Sequence, residues 1–584
     1  MTELFQRLLE ARGLGESFLH PEYEDLDDAF ELPEMEKAVE RLKSAADSDD
    51  KVIVYGDYDV DGVTASAEMA EILELLGVKS DNLEIMLPNR FTDGYGMSKR
   101  LGKRAVESGA KLVVTVDCGS NNGEIISELS EKGIDVVVTD HHEIAGELPQ
   151  VFNGKKPGEP GGFLAVVNPK RADFRKKVLA RQAEILDLKE QNEAITDKAK
   201  KQPLPRDISG LLELCGAGVA FMVARACVKK GWIRAGREKW LLDLAMVGTI
   251  CDSMKLTGDN RIICRYGMIV LEKGVRKGLK ELMRVAKVGK IDTDAVGFQL
   301  GPRLNAAGRM KSADLALMLL RTKSSAEAAK IALELNSLNN ERRKQQEEAV
   351  KAVTDRGAGE DRVLVVAGPW HEGVLGIIAG RLVEMYKRPC FVLSSENGKG
   401  SGRSFGEFNL ALALSECQNC LEKGGGHAEA CGLKVKAGKV DEFRETVNRY
   451  YDRLKLREQE RFLRQRADLH LENLGELTLD FMDELDELEP FGTGNGEPVF
   501  LVEQAILINS KQMGSDGQHL RLVVKDKRGT LFKLVAFNAP EEWIVTTPGL
   551  PLRVWLTATT NTWNGDTTVE GRLVRLELAE EADF

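Results

Sequence analysis

The chain has 584 residues, which is too long for one hydrophobic core and predicts several domains. Its 93 acidic and 81 basic residues give a net charge of −12, which argues against uniform electrostatic binding of nucleic acid but allows a local basic channel. No apolar run approaches the roughly 18 residues of a membrane span. The first residues, MTELFQRLLEARG, contain no apolar signal region, and nine cysteines are scattered along the chain, so we expect reduced thiols and a cytoplasmic protein.

Short β-branched runs alternate with helical stretches over the first part of the chain. The predicted strands are 51–56, 111–116, 135–139 and 163–168. Amphipathic stretches between them, such as 66–76 and 123–132, favour crossover helices. This alternation is typical of a parallel sheet, so residues 1–320 are predicted to form an α/β domain. Within it, the charged insertion 170–206 is predicted to be a helical protrusion.

Three further regions follow the first domain. Residues 321–356 are rich in Ala, Leu, Glu, Lys and Arg and contain neither Pro nor Gly, which predicts one long connector helix. Residues 357–455 again alternate strand and helix patterns, as in a second, smaller α/β domain. From 456 to 584, short β runs separated by turns predict a five-stranded β-barrel or a small sandwich.

Three predicted strands of the first domain each run into an aspartate. VIVYG precedes Asp57, VVTV precedes Asp117 and VVVT precedes Asp140. Because the carboxyl ends of parallel strands meet at one edge of a sheet, we expect these carboxylates to converge. Further candidate ligands lie beside them, namely Asp59, Asp61, His141 and His142. Converging carboxylates and imidazoles predict a site for Mn²⁺, Mg²⁺ or Zn²⁺.

Other interpretations of these acids stay open. The segment from Asp57 to Glu68 also fits the pattern of an EF-hand calcium loop. An EF-hand loop follows a helix, however, whereas the run before Asp57 is short and β-branched. Solvated acids that cap a helix N-terminus are another alternative. A further apolar segment, 241–257, contains Asp252 and is typical of either a strand or a helix.

A second candidate metal site lies in the smaller α/β region. Cys417, Cys420, His427 and Cys431 have a spacing that resembles a one-knuckle zinc site. The first two cysteines lie at the end of an apparent helix, and the spacing differs from the common knuckles. We therefore expect structural thiols here rather than zinc ligands.

The aspartate and histidine motifs, with others further along the chain, resemble the DHH phosphoesterase superfamily and, within it, the exonucleases specific for single strands. The resemblance covers most of the chain and rests on GDYDVDG, PNRFTDGYG, VDCGSNN, TDHHE, GTICD, GPRLNAAGRM, GPWHEGVLGIIAGRL, GSGRS, GGGHAEACGL and LEPFGTGNGEPVF. It implies a parallel-sheet DHH domain, the connector helix, a smaller α/β DHHA1 domain and a C-terminal OB-like barrel. GGGH and GNGEP differ slightly from the usual family wording.

The resemblance also implies two divalent cations, Mn²⁺ or Mg²⁺. By their positions in the motifs, Asp57 and Asp59 would hold one cation, and Asp117 would bridge to the second. The second cation would be completed by Asp61, His141 and Asp252. Two neighbouring cations can activate water and stabilise the attacking and leaving oxygens of an in-line displacement.

Two more residues receive catalytic roles from the resemblance. His142 would contact the scissile phosphate or help to protonate the leaving 3′ oxygen. Asp140 would fix the orientation and tautomer of a histidine.

An exonuclease must also hold the end of a strand. Arginine forks suit phosphate oxygens, and several arginines of the motifs lie in loop-like contexts beside Gly or Pro. The substrate-binding residues that the resemblance implies are Arg90, Arg303, Asn305, Ser401, Arg403 and His427. The arginines and Ser401 would clamp a 5′ phosphate, and His427 would lie in the substrate-binding loop of the DHHA1 domain.

These observations lead to the hypothesis of a metal-dependent 5′→3′ exonuclease that hydrolyses single-stranded DNA to mononucleotides in DNA repair and recombination. Polarity and DNA preference come from the resemblance, whereas metal-dependent phosphoester hydrolysis follows from the residues themselves. Suggested protein partners are a single-strand-binding protein and a helicase. The alternatives are a phosphoesterase acting on short oligonucleotides or small phosphorylated substrates, and a catalytically silent nucleic-acid scaffold.

Overall fold

The computed structural model describes residues 1–579 apart from 95, 153, 194–201, 358, 455, 457–465, 515–516 and 545–546. The chain folds into two compact units, Tyr23–Arg457 and a smaller one made of Met1–Glu22 and Glu458–Phe584. The smaller unit begins with helices α1 (Glu3–Arg12) and α2 (Glu16–Leu19). Within the described ranges, we find no helix with the length and apolar character needed to cross a membrane.

The larger unit begins with a five-stranded parallel sheet in the order β2-β1-β3-β4-β5. Its strands are β1 (Val52–Tyr55), β2 (Leu83–Met86), β3 (Leu112–Val116), β4 (Asp135–Thr139) and β5 (Leu164–Val167). Successive residues of β1 face opposite hydrophobic clusters, with Ile53 and Tyr55 on one side and Val52 and Val54 on the other. The predicted parallel sheet is confirmed, and β2 is an additional edge strand.

Helices cover both faces of this sheet and extend beyond it. They are α3 (Met35–Asp47), α4 (Val60–Leu76), α5 (Lys99–Ser108), α6 (Gly123–Glu131), α7 (Ala172–Glu193), α8 (Gly216–Lys229), α9 (Leu242–Cys251), α10 (Gly258–Glu272), α11 (Lys277–Ala286), α12 (Gly301–Met310) and α13 (Asp314–Arg321). Segment 241–257 is therefore mainly helical. The insertion is helical over α7, and its residues 194–201 lie outside the described part of the chain.

A connector helix and a second sheet complete the larger unit. The connector is α14 (Ser325–Arg356), which begins where the Ser324 hydroxyl accepts a hydrogen bond from the Glu327 backbone N–H. The sheet has the order β6-β7-β8-β10-β9, with β6 and β7 parallel and the other pairs antiparallel. Its strands and helices are β6 (Leu364–Gly368), β7 (Cys390–Ser394), β8 (Lys399–Arg403), β9 (Leu421–Gly426), β10 (Ala430–Val435), α15 (Leu375–Tyr386), α16 (Leu410–Glu416) and α17 (Val440–Leu454).

The smaller unit contains a closed barrel. Its strands are β11 (Leu469–His470), β12 (Phe500–Met513), β13 (His519–Lys525), β14 (Leu531–Ala536), β15 (Pro551–Trp563) and β16 (Asp566–Leu578), with helices α18 (Leu479–Asp486) and α19 (Glu541–Ile544). Strand β12 pairs with both β13 and β15, and the β14–β16 pairing closes the ring. The barrel prediction is thus confirmed, and the sandwich alternative is wrong.

Helix α1 packs within the smaller unit, whereas the sequence assigned residues 1–320 to the first domain. Leu4, Phe5 and Leu8 are buried in the same hydrophobic cluster as the barrel core. The Phe5 ring contacts the Phe481 ring edge-on, with 6.4 Å between their centroids. An amphipathic N-terminal helix shows an apolar face but carries no local signal of the core that will cover it.

Candidate metal centre and substrate cleft

The candidate metal centre lies at the carboxyl ends of β1, β3 and β4. Asp57, Asp117 and Asp140 follow these three neighbouring strands, so the sheet fixes their backbones at one edge. Asp117 adopts a left-handed backbone with φ of 58°, which is uncommon for a residue with a side chain. Its backbone N–H donates to the Thr139 carbonyl at 2.9 Å, which holds this turn beside β4.

The structure brings the predicted ligand residues into three overlapping groups. In each group, one nitrogen or oxygen atom from every residue lies within 4.8 Å of the others. The groups are Asp57, Asp59 and Asp117; Asp61, His141 and Asp252; and Asp117, His141 and His142. The first two groups contain all the residues that the resemblance assigns to two cations, and Asp117 is shared by two groups.

Asp61 is held in place by the N-terminus of α8. Its Oδ2 accepts a hydrogen bond from the Gly216 N–H at 2.6 Å, and its Oδ1 accepts one from the Ala217 N–H at 2.9 Å. The positive end of the helix dipole favours a carboxylate at this position. Asp59 has a comparable anchor, since it caps α4 by accepting from the Gly62 N–H at 3.0 Å.

His141 lies at the centre of the second ligand group. Its Nε2 is 3.0 Å from Asp117 Oδ1 and 3.7 Å from both Asp61 Oδ2 and Asp252 Oδ2. Asp252 reaches this position because it caps the C-terminus of α9. Burial lowers the pKa of His141 despite the neighbouring carboxylates, which favours the neutral imidazole that a metal requires.

Asp140 supports the turn that carries both histidines. Its Oδ1 accepts from the backbone N–H groups of His141 and His142 at 2.8 and 3.1 Å, and its Oδ2 accepts from the Ser120 N–H at 2.9 Å. The His142 Nδ1 lies 2.9 Å from Asp140 Oδ1. Burial alone would raise the Asp140 pKa, but the hydrogen bond and positive charge of His142 reverse this effect and lower it. Asp140 is therefore an anionic anchor for His142.

The His142 imidazole is shifted toward its protonated form. Burial lowers its pKa, but the hydrogen bond to Asp140 and the surrounding carboxylates outweigh burial and raise the pKa to about 9. Nδ1 is the ring nitrogen that faces Asp140.

The carboxylates of the centre are buried together and repel one another. Burial, followed by the charge of Asp59, raises the pKa of Asp57 to about 8, and burial followed by Asp61 raises that of Asp252 to about 8. The pKa of Asp117 is raised well above its usual value for the same reasons. The acids of such a cluster stay ionised together only when positive charge is added beside them.

Two buried carboxylate oxygens without a hydrogen-bond donor in the described part of the chain mark the positions at which cations would fit. Among the residues described, none donates a hydrogen bond to the buried Oδ1 of Asp57 or of Asp117. Oxygen donors with one imidazole are a ligand set that suits Mn²⁺ and Mg²⁺. The residues present therefore fit two divalent cations, one at Asp57, Asp59 and Asp117 and one at Asp61, His141 and Asp252.

Gly216 is a further residue of the centre that the sequence analysis missed. A Cβ at this position would lie 2.5 Å from the Asp117 Cβ and 2.9 Å from its Cα, so only glycine lets α8 approach Asp117 this closely. Its sequence context, a Gly-Ala-Gly at the start of an apolar helix, gives no sign of this role.

We predict that Gly216→Ala weakens Mn²⁺ binding about 10- to 100-fold, since displacing a residue that orients metal ligands has effects of this size. Mn²⁺ titration of the purified chain measures this effect. Gly102→Ala is the matched control, because a Cβ there meets nothing within 4 Å. Unchanged Mn²⁺ affinity in Gly216→Ala would show that α8 does not position Asp117.

A cleft of about 560 Å³ lies between the loop after β2 and the second sheet. Arg90, Ser401 and Arg403, three of the predicted substrate-binding residues, line it. The Ser401 hydroxyl donates to the Cys431 carbonyl at 3.2 Å and accepts from Arg403 Nη1 at 3.2 Å. The structure adds other basic residues to the lining, namely Arg309, Lys399 and Lys423.

Three arginine side chains crowd together in this cleft. Burial, followed by the charges of Arg90, Arg342 and Arg403, lowers the pKa of Arg309 to about 9. Burial also lowers the pKa of Arg403. No carboxylate in the described part of the chain forms an ion pair with Arg90, Arg309 or Arg403, whereas Lys399 pairs with Glu372. Arginines crowded in this way suit a phosphate group.

The other predicted substrate-binding residues lie outside this cleft lining. Arg303 Nε donates to Asn336 on α14 at 3.0 Å, and its Nη1 donates to the Gln299 carbonyl at 2.7 Å. Asn305 lies on α12, and its Oδ1 is buried without a hydrogen-bond partner among the residues described. His427 is exposed just after β9. The structure thus groups only Arg90, Ser401 and Arg403.

The structure is incompatible with the two alternative metal sites. Asp57 follows a strand, and Glu68 is buried within α4 and belongs to none of the ligand groups, so the EF-hand interpretation is wrong. Cys417, Cys420 and Cys431 are buried in the core beside the second sheet. Among described residues, these cysteines and His427 form no metal-binding group.

Comparison with known proteins defines the class. The model of the DHH family, N-terminal domain, matches residues 51–162, that of the DHHA1 domain matches 360–452, and that of the RecJ OB domain matches 467–575. These matches cover the sheet with the aspartate cluster, the second sheet and the barrel. The fold and the site are therefore those of a DHH-type phosphoesterase.

Full-length relatives then identify the family. The single-stranded-DNA-specific exonuclease RecJ of Bacillus subtilis is 34% identical over 579 residues, and the match covers 97% of this chain and 66% of that protein. RecJ of Thermus thermophilus is 31% identical over 562 residues (95% and 73%), and RecJ of Escherichia coli is 30% identical over 573 residues (92% and 89%). The chain belongs to the RecJ family.

Solved structures agree with this assignment. The crystal structure of Thermus thermophilus RecJ in complex with Mn²⁺ matches with a TM-score of 0.78 at 27% identity, covering 99% of this chain and 76% of that one. The corresponding complex with Mg²⁺ gives a TM-score of 0.73 at 25% identity, covering 99% and 75%.

Proposed function

We propose that this chain is a divalent-metal-dependent 5′→3′ exonuclease that hydrolyses single-stranded DNA to mononucleotides. The observation that carries the proposal is the convergence of two adjacent ligand groups, Asp57–Asp59–Asp117 and Asp61–His141–Asp252, at the edge of the parallel sheet. The relatives' printed names, single-stranded-DNA-specific exonuclease, support the substrate. The structures of RecJ with Mn²⁺ and with Mg²⁺ support the cofactor.

The two cations would be held by residues that already converge. Asp57, Asp59 and Asp117 form one ligand set, and the other consists of Asp61, His141 and Asp252. Asp117 would bridge the two sets, since its Oδ1 lies 3.0 Å from His141 Nε2. A bound pair of Mn²⁺ or Mg²⁺ ions supplies Lewis acidity to the attacking and leaving oxygens of an in-line displacement.

His142 would act at the leaving oxygen. Asp140 holds its Nδ1 at 2.9 Å and stabilises the imidazolium, so Nε2 carries a proton toward the scissile phosphodiester. Donation of this proton to the leaving 3′ oxygen balances the charge that develops when the O3′–P bond breaks. Asp140 orients the imidazole and takes no part in the transfer itself.

The arginine-lined cleft would hold the 5′ end of the strand. Arg90, Arg309 and Arg403 form no ion pair with a carboxylate among the residues described, and Ser401 offers a hydroxyl beside Arg403. A terminal phosphate carries more negative charge than an internal one, so it gains most from such a cluster. Recognition of the 5′ end gives the proposed polarity.

The barrel and the expected protein partners complete the proposal. A barrel of the RecJ OB type would bind the strand through basic and aromatic side chains. Contacts with a single-strand-binding protein or a helicase, a role in DNA repair and recombination, and a cytoplasmic location stay predictions. The functions of Arg303, Asn305 and His427 in substrate binding also stay predictions.

Digestion of a long single strand labelled at its 3′ end tests the proposal. With Mn²⁺, we expect progressive shortening of the labelled strand and release of mononucleotides, with a duplex and an EDTA-treated sample unchanged. Release of the 3′ label at the first time point would show the opposite polarity. Strand binding without shortening would favour a silent scaffold, and neither binding nor shortening would favour a small phosphorylated substrate.

The end clamp has its own prediction. Arg403→Ala should lower kcat/KM on 5′-phosphorylated strands roughly 10- to 100-fold, the usual effect of losing hydrogen bonds to a charged group. The loss on 5′-hydroxyl strands should be smaller. Arg381→Ala is the control, since Arg381 is exposed on α15 and pairs with the nearby Glu384. Equal losses on both kinds of end would contradict the clamp.

A further inference from the structure

Tyr58 joins the metal centre to the substrate cleft. It lies in the chain between Asp57 and Asp59, two of the proposed metal ligands. Its half-buried ring supports Arg90, whose guanidinium carbon is 4.0 Å from the ring centroid. This distance is that of a close cation–π contact.

Apart from the Tyr58 ring, the described residues offer few direct contacts that fix the position of the Arg90 side chain. Its Nε is buried and has no hydrogen-bond partner, and no carboxylate forms an ion pair with it, within the part of the chain that the structure describes. The same guanidinium group lines the cleft with Ser401 and Arg403. The Tyr58 ring is therefore the direct contact that the described residues provide for this guanidinium, beside the longer-range attraction of the Asp57 and Asp59 carboxylates.

The backbone beneath the ring is closely packed. Gly308 of α12 approaches so closely that a Cβ there would lie 2.7 Å from the Tyr58 carbonyl oxygen. The next residue, Arg309, lines the cleft beside Arg90. The backbone of Tyr58, in the loop after β1, is thus packed against α12 beside the cleft.

We infer that Tyr58 is a positioning residue that acts through Arg90 and sets the spacing between the bound 5′ phosphate and the metal centre. With this spacing fixed, the first phosphodiester would lie at the metal centre, and each cleavage would release one nucleotide. A pre-oriented guanidinium also loses less conformational freedom when it binds phosphate. This inference rests on the proposed exonuclease function.

Substitutions at both residues test the inference on the full chain. Tyr58→Leu removes the ring, Tyr58→Phe keeps it, and Arg90→Ala removes the cation. We expect Tyr58→Leu to raise KM on 5′-phosphorylated single strands roughly 2- to 30-fold, in line with the strength of cation–π contacts, with little change in kcat. Its products should include dinucleotides, whereas Tyr58→Phe should release mononucleotides with a KM near that of the wild type.

The double variant separates positioning from an independent role. If Tyr58 acts through Arg90, Tyr58→Leu adds no further rise in KM and no new products in the Arg90→Ala background. An equal rise in both backgrounds would overturn the inference. Loss of Mn²⁺ binding in Tyr58→Leu would also overturn it, because the ring would then support the ligands rather than Arg90.

Experiments on the wild-type chain distinguish a failure of the inference about Tyr58 from a failure of the proposed function. Wild-type digestion that starts at the 5′ end and prefers a 5′ phosphate, combined with an unchanged KM and mononucleotide products in Tyr58→Leu, would refute only the role of Tyr58. A wild type that shows no end-dependent digestion would refute the proposed function itself.

Discussion

Asp117→Asn should reduce hydrolysis of single-stranded DNA by roughly 10³-fold or more, the upper range for removing a group that stabilises transition-state charge. Asp117 belongs to two of the overlapping ligand groups, and it lies buried at the end of β3. An amide has nearly the same shape but carries no charge, so it cannot bridge two cations in the same way. Initial rates on a 5′-phosphorylated strand at saturating Mn²⁺ measure the effect.

The fold and strand binding of Asp117→Asn should be retained. Removing one charge from a buried group of mutually repelling carboxylates relieves repulsion, so we expect thermal stability without metal to be equal or higher. Asp81→Asn, an exposed aspartate before β2, is the matched control. Turnover near the wild-type rate would remove Asp117 from its bridging role.

His142→Ala should lower kcat about 10²- to 10⁴-fold, the range expected for loss of a general acid. Its Nδ1 is held by Asp140, and the pKa of its imidazole is raised to about 9, so the ring has a proton to donate. The stoichiometry of Mn²⁺ binding should be unchanged, because neither of the two proposed ligand sets contains His142. Single-turnover rates measured beside a Mn²⁺ titration separate catalysis from metal binding.

Asp140→Asn provides a graded comparison with His142→Ala. An amide still fills the space but no longer stabilises the imidazolium, so we expect a loss of about 10- to 100-fold, as for other residues that orient a functional histidine. Loss of a bound Mn²⁺ in His142→Ala would instead make His142 a ligand, consistent with its proximity to Asp117 and His141.

The main elements of the fold and the core of the site follow from local sequence. β-branched runs that end in Asp57, Asp117 and Asp140 predict both a parallel sheet and the convergence of these residues at one edge. This prediction does not depend on the order of the strands in the sheet, because the carboxyl ends of all parallel strands lie at the same edge. Asp252 was less predictable, because an apolar segment of about ten residues suits a helix as well as a strand.

Residues that depend on long-range packing could not be predicted. Gly216 matters because α8, which lies far along the chain from β3, approaches Asp117, and no pattern around it records that approach. Arg309 lies in the same motif as Arg303, but only the structure shows that Arg309 lines the cleft while Arg303 contacts α14. The position of each arginine on α12 and the surface beside this helix determine which of the two lines the cleft.

The net charge of the chain gave little guidance about its substrate. A value of −12 is unusual for a protein that binds nucleic acid, yet the cleft collects arginines that have no carboxylate partner in the described part of the chain. Carboxylates concentrated at a metal centre lower the net charge, and the bound cations would return part of it locally. Charge at a site, rather than over the whole chain, decides what binds there.

The measurement that tests the central claim most directly is the number of Mn²⁺ ions bound per chain at equilibrium, by dialysis and metal analysis, for the wild type and Asp117→Asn side by side. We expect two ions in the wild type and loss of at least one, or sharply weaker binding of both, in Asp117→Asn. A single ion in the wild type, or two ions held with unchanged affinity in Asp117→Asn, would contradict a centre built around a shared aspartate.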